Sequence, residues 1–332
     1  DGRGRSMDEA HAPAAVEPVE SASGLVDGGH GEEAGAITWS WTLRGFPWSE
    51  VMQLLHWGSF LVGLGYGIAS AVLVTLTPRI VPFSQDDLSI ALPDKGDTIS
   101  SAVVVLAPFA LCFVLLILFE FFILRAHNKT FAVAVFAGAN LLLRIIETYL
   151  GTVVLQQLSA VLTGALRPEF LAICMPNAQN QCTNTDQRAV DDARKSYFSG
   201  HASTAMCISS FCGMYLLYSY YVRLPRRPPG QTPDEHAAAS QKPRGCAAVL
   251  LRELADGLVF LVASCTLIAS MLVSVSRVID GKHSRPDVNA GMLIGFFFSA
   301  MFFPRFVILN ERGIAKLQSF EKPRSPDTTS VV

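Results

Sequence analysis

Three short polar stretches interrupt an otherwise apolar chain: Leu166-Arg167-Pro168, Ser199-Gly200-His201, and the run SRVIDGKHSRPD from Ser276 to Asp287. Their residue types suit phosphate chemistry. Arg167 and Arg277 are permanent cations whose planar forks match phosphate oxygens. Ser199, Gly200 and the free backbone N–H groups at a helix start form an anion cradle, aided by the helix dipole. Two histidines, His201 and His283, can supply a general acid and a nucleophile. Asp287 follows His283 by four residues. It can take the proton of one imidazole nitrogen and leave the other facing a substrate, the orienting logic of a catalytic triad. One such residue alone is ordinary, since an Arg at an interface often snorkels. Convergence of all three stretches on one place is the stronger argument.

The elements that must position these residues are membrane helices. Of 332 residues, 50% are hydrophobic and 16% charged, and the mean hydropathy is +0.36; soluble domains carry about 25% charged residues. Six apolar runs span roughly 54–76, 99–124, 131–158, 202–221, 258–275 and 288–309. Each is near the ~20 residues that cross ~30 Å of hydrocarbon. The expected fold is all-α, a bundle of six transmembrane helices over residues 49–313. Residues 1–48 are expected to be a disordered or interfacial segment, and 314–332 a disordered cytoplasmic tail. Within the former, residues 37–47 read as an interfacial segment or as a loose aromatic linker, because Trp39, Trp41, Trp48 and Trp57 gather at the first span. That span lies too far into the sequence for a secretory signal and reads as an uncleaved anchor. Its Gly63-x-x-x-Gly67 spacing permits close helix approach.

Six spans put both ends on one side. That side carries 16 Lys and Arg residues against 9 on the other, with Arg144 inside the third span. The richer side is expected to be cytoplasmic, with residues 222–253 a cytoplasmic linker. All three polar stretches then face the extracellular or lumenal side of a plasma membrane or endomembrane. Cys174 and Cys182 share a loop there and are a disulfide candidate in an oxidising compartment, with two free thiols as the alternative. The sequon Asn128-Lys129-Thr130 falls in a short cytoplasmic turn, where no glycan is expected.

The three stretches together resemble the type-2 phosphatidic acid phosphatase, or lipid phosphate phosphatase, superfamily, whose pattern is KxxxxxxRP, PSGH and SRxxxxxHxxxD. Here the corresponding segments read ALRP, FSGH and SRVIDGKHSRPD. The loop DDLSIALPDKGDT from Asp86 and the segment RPEFLAICMPN from Arg167 also look like the animal lipid phosphatases. The resemblance implies that His283 attacks phosphorus, Asp287 orients it, and His201 protonates the leaving hydroxyl. Arg167, Arg277, Ser199 and Gly200 would hold the phosphate oxygens. It also implies lipid monophosphates as substrates (phosphatidate, lysophosphatidate, sphingosine 1-phosphate, ceramide 1-phosphate) and no metal or other cofactor. Membrane lipids are the expected surroundings, no nucleic acid is expected as a partner, and self-association is left open.

One position departs from the pattern. The family Lys, seven residues before Arg167, is Ala160 here. A charge-assisted hydrogen bond is worth ~1.5–3 kcal/mol, so its loss slows turnover by tens to hundreds of fold. Arg144 is about 24 Å away along a helix and faces Glu147 as its natural partner. Lys195 or Arg194 is better placed, and Lys195 is the candidate replacement. The same departure sustains an alternative: a catalytically inactive phospholipid phosphatase-related protein that binds lipid phosphates or protein partners. A transporter, suggested by Arg144, Glu147 and Glu120 inside spans, is the third reading.

Overall fold

Hydrocarbon offers no partner for backbone N–H and C=O groups, so each spanning segment must satisfy its own as a helix. The computed structural model describes residues 48–126, 131–224 and 246–321. Among these residues six helices are long and apolar enough to cross a membrane. They are α2 (Trp57–Thr75), α3 (Ser101–Ala126), α4 (Phe131–Thr163), α7 (Gly200–Tyr218), α8 (Cys246–Ile279) and α9 (Arg285–Glu321). Short helices precede or connect them: α1 (Trp48–Leu54), α5 (Phe170–Cys174) and α6 (Gln187–Asp192). A π turn, Ser219–Arg223, continues α7. The protein is an integral membrane protein of all-α architecture. The expectations for residues 1–47, the sequon, the middle of the α7–α8 connection and the last eleven residues lie outside the described residues.

Helix α7 is the hub, packed by α3, α4, α8 and α9. Its inner face meets α4 and α9 in a core of Leu141, Ile145, Ile208, Phe211, Tyr215, Phe302 and Phe306. Edge-to-face pairing of Phe211 with Phe303, centroids 5.4 Å apart, adds directional packing. The closest approach is at the top of α9. A Cβ on Gly291 would lie 2.6 Å from the Ser199 carbonyl oxygen, and one on Gly295 would lie 2.3 Å from that of Ser203. This Gly291-x-x-x-Gly295 step, rather than the one in α2, seats the two site-bearing helix ends against each other.

The spans differ from the apolar runs at two ends. Helix α9 continues to Glu321, past the expected start of a disordered tail at 314. Ile314 and Leu317 are the cause: they are buried with Val51, Val133 and Phe136 where α1, α4 and α9 meet. Helix α8 begins at Cys246, inside the expected linker. At 34 residues it is about 51 Å long, so its first turns extend beyond the hydrocarbon.

Five charges of the helices, Glu120, Arg144, Glu147, Arg223 and Arg305, pair with one another. Arg144 bonds Glu147 at 2.5 Å, and Arg305 reaches the same carboxylate at 3.1 Å. Glu120 accepts from Arg223 and from the Tyr215 hydroxyl. Paired partners answer the cost of charge in the membrane, and these residues are accounted for without an ion path.

The α7–α9 contact gives a direct test. Gly295→Ala forces a methyl group into the Ser203 backbone and should cost about 1–3 kcal/mol. The thermal unfolding midpoint in detergent should fall, whereas Gly65→Ala, which meets nothing within 4 Å, should leave it in place.

Candidate active site

Helix α4 ends at Gly164, which adopts φ +61 and sends its N–H back to the Ala160 carbonyl. A side chain at 164 would strike the Arg79 carbonyl oxygen at 1.9 Å. The chain then runs extended beside the residues that precede α7: Ser196 N–H donates to Ala165 O at 3.0 Å and Arg167 N–H to Ala193 O at 2.8 Å. Two backbone bonds thus tie the first polar stretch to the approach of the second. The intervening segment is folded on itself. Cys174 and Cys182 form a disulfide, and Phe170, Cys174 and Ala193 are buried together with Ile90. Arg194 is used there, with its guanidinium 4.7 Å from the Phe170 ring centroid and donating to Val81 O at 3.2 Å. Its neighbour Lys195 is turned to the cavity described below.

The second and third stretches meet through the backbone. Ser199 N–H donates to Asp287 O at 3.1 Å, and the Ser199 hydroxyl caps α7 by accepting from Ala202 N–H. Ser276 and Arg277 close the last turn of α8. Arg277 is only 1% exposed and is gripped on both prongs, by Asp97 at 2.8 Å and Asp280 at 2.5 Å. Thr98 fixes Asp280 in turn through its N–H and hydroxyl. The Nε2 atom of His201 lies 3.5 Å from Arg277 Nη1 and 3.4 Å from the Ser101 hydroxyl.

His283 is 5% exposed, and its Nδ1 donates to the Ser196 carbonyl at 2.9 Å. This corrects the expected role of Asp287 as direct acceptor of the imidazole proton. Asp287 Oδ2 accepts instead from the Ser196 hydroxyl at 2.7 Å and from Ser284 N–H at 3.1 Å. Ser284 returns the contact by accepting from Asp287 N–H. The reciprocal pair is a capping box that starts α9, and it holds the carboxylate at the helix end. Asp287 is therefore linked to His283 through Ser196. With Nδ1 spent as a donor, Nε2 keeps its lone pair. Burial, then the charges of Arg167, His201 and Arg277, push the imidazole down to about 3, against the opposing pull of the Ser196 bond. The ring is neutral at physiological pH.

Arg167, Lys195, Gly200, His201 and His283 line one cavity of about 240 Å³, together with Ala160. Arg277, outside that lining, lies 3.5 Å from His201, while Ser199 bonds Asp287 and Asp287 bonds Ser196, the partner of His283. Each arginine already holds an exposed carboxylate: Arg167 bonds Asp192 at 2.8 Å, and Arg277 bonds Asp97. These side chains are 62% and 42% exposed, so either can swing into water when another anion takes its place. Asp97, Asp192, Ser196 and Asp280 escaped the sequence reading, as did a bridge in which Lys282 Nζ sits 2.7 Å from both Asp94 and Glu169. The available signal was the Asp-rich α2–α3 loop and the S-x-x-D step at Ser284, neither informative without knowing what lies opposite.

Comparison with known proteins places this geometry. The sequence model of the PAP2 superfamily matches residues 141–310, which holds all three polar stretches. The chain is 26% identical over 285 residues to Phospholipid phosphatase 1 of Rattus norvegicus, covering 79% of this chain and 87% of that one. It is 27% identical over 252 residues to Phospholipid phosphatase 1 of Mus musculus, covering 69% and 77%. A PA-phosphatase related-family protein of Dictyostelium discoideum is 26% identical over 272 residues, covering 75% and 63%. No solved structure matches the chain significantly.

The depressed imidazole makes stability pH-dependent with a definite sign. Between about 6.5 and about 3 the unfolded His283 binds a proton that the folded one refuses. Stability is therefore full above pH 6.5 and is lost as pH falls through this window. The loss from His283 should be on the order of 2 kcal/mol by pH 5. A His283→Asn variant should show a flatter fall of the unfolding midpoint between pH 7 and pH 5 than the unsubstituted protein.

Proposed function

The chain belongs to the PAP2 superfamily, and from that premise we propose that it is a membrane lipid phosphatase that hydrolyses lipid phosphomonoesters through a phosphohistidine at His283. The observation that carries the reading is the neutral His283, held by its Nδ1 on Ser196, sharing one cavity with His201, Arg167 and Lys195. Nε2 attacks phosphorus, and the P–O bond to the lipid breaks. His201 gives its proton to the departing alkoxide. It then takes a proton from a water whose oxygen attacks the phosphohistidine, which releases inorganic phosphate and restores both rings. Arg167, Arg277, the Ser199 hydroxyl and the Gly200 N–H hold the non-bridging oxygens, and Lys195 contributes in place of the family Lys missing at Ala160. Arriving phosphate oxygens replace the Asp97 and Asp192 carboxylates on the two arginines. Asp287 is a positioning residue, acting through Ser196.

The substrate class is a lipid monophosphate: phosphatidate, lysophosphatidate, sphingosine 1-phosphate or ceramide 1-phosphate, turned over without Mg²⁺. The site lies among helix ends, where a headgroup can react while its chains stay in hydrocarbon. The charge bias supports an extracellular or lumenal position for that end and cytoplasmic termini. One observation favours the second reading, an inactive lipid-phosphate binder: Ala160, 1% exposed, lines the cavity where the family Lys belongs.

Phosphate release from these four lipids, measured in detergent with EDTA, separates the two readings. The enzyme reading expects release by the unsubstituted protein and none by His283→Ala. Lys195→Ala should lower release roughly ten- to a hundred-fold; unchanged release would remove Lys195 from the site. No release alongside retained lipid-phosphate binding would favour the inactive reading.

A further inference from the structure

Phosphate oxygens ask a site for donors and cations, yet the cavity that holds His201 and His283 is also lined by acceptors. Gln156 and Gln157 contribute from α4, and Asp192 contributes from the end of α6. Gln156 Nε2 is spent on the Phe198 carbonyl at 3.4 Å. The buried Oε1 of Gln157 has no hydrogen-bond partner among the described residues. Asp192 carries the charge. Its carboxylate bonds Arg167 at 2.8 Å and is 62% exposed. Its backbone is fixed: Lys195 N–H donates to Asp192 O at 3.0 Å. The next residue, Ala193, is buried, sends its N–H to Ala189 O and takes the Arg167 N–H on its own carbonyl. A phosphate that claims Arg167 therefore releases this carboxylate without sending it away. Two anions are then left side by side in one cavity, and they repel unless a cation joins them. The cations of the lining, Arg167 and Lys195, are already engaged by the phosphate in the reading above.

We infer that Asp192 selects the organic part of the substrate, by pairing with a free ammonium on the carbon next to the phosphoester carbon. The favoured substrate is then the phosphomonoester of a lipid amino alcohol. The inference rests on the phosphatase reading and narrows it. Of the four lipids above, sphingosine 1-phosphate carries such a cation. Ceramide 1-phosphate has its nitrogen acylated, lysophosphatidate offers a neutral hydroxyl, and phosphatidate has no donor beside its phosphate. The bound groups alternate in sign, from Arg167 to phosphate to ammonium to Asp192, so the resting Arg167–Asp192 pair opens without leaving either charge unmet. An ammonium brings three donors, and the Gln157 amide is a neutral acceptor on the same lining. Because Asp192 is largely exposed, the gain is that of a surface ion pair, a preference of about five-fold.

The test compares kcat/KM in detergent for sphingosine 1-phosphate, N-acetylsphingosine 1-phosphate and lysophosphatidate. It uses the unsubstituted protein, Asp192→Asn and Asp97→Asn. Asparagine keeps the shape and an acceptor for the arginine but not the charge. The unsubstituted protein should favour sphingosine 1-phosphate over the two lipids that lack the cation. Asp192→Asn should lower that ratio about five-fold, through KM rather than kcat. Asp97→Asn takes the carboxylate from Arg277, which is outside the lining, and should keep the ratio. Equal turnover of the three lipids, an unchanged ratio in Asp192→Asn, or an equal fall in Asp97→Asn overturns the assignment, while phosphate release continues to support the phosphatase. Binding of the same lipids to His283→Ala protein reads the preference without chemistry. Tighter binding of sphingosine 1-phosphate that is lost when Asp192→Asn is added would uphold Asp192 as the ammonium seat even if the unsubstituted protein released no phosphate, a result that would sink the phosphatase reading alone.

Discussion

Arg277 carries a permanent charge almost wholly removed from water, and that constraint organises the end of the bundle around it. An unpaired buried ion costs several kcal/mol, so both prongs of its fork must be met. Asp97 and Asp280 meet them, and these residues belong to the α2–α3 loop and the α8–α9 turn. One ion cluster therefore ties a loop to a turn almost two hundred residues later. The Lys282 bridge between Asp94 and Glu169 repeats the device and brings in the first polar stretch. What results is a rigid polar cap in which the guanidinium faces His201 rather than solvent.

Below the cap, close packing does the positioning. Glycines at 291 and 295 let α9 press on the start of α7, and the Ser199 N–H then reaches the Asp287 carbonyl. The Asp287 carboxylate serves two partners, the α9 cap and the Ser196 hydroxyl. This double use fixes Ser196, whose carbonyl orients His283. A single residue at a helix start thus links helix formation to the geometry of an imidazole that lines the cavity.

Charge is distributed unevenly along the bundle, and the division is physical. At one end Arg167 lines the cavity and Arg277 lies behind it, and each holds an exposed carboxylate, Asp192 or Asp97. Farther along the bundle, buried Arg144 and Arg223 are paired with Glu147 and Glu120. The first arrangement can exchange one anion for another; the second holds helices together.

The spans, their number and the three polar stretches were legible in the sequence because hydropathy and residue type are local properties. So was the family resemblance, and Lys195 could be singled out over Arg144 by distance along a helix alone. Choosing between Lys195 and Arg194 could not be done that way, because Phe83 and Phe170 claim Arg194 only once the loop is folded. The end of α9 was misplaced for a similar reason: Ile314 and Leu317 look like stray apolar residues in a polar tail until Phe136 is opposite them. The acceptor on His283 is the sharpest case. Sequence spacing puts Asp287 within reach, but a capping box and a serine hydroxyl compete for the carboxylate, and a backbone carbonyl from the other polar stretch takes the imidazole. Residue types determined what chemistry this chain has the means to do. Which group touches which was decided by tertiary structure, because buried polar groups are satisfied by whichever partner the packing delivers.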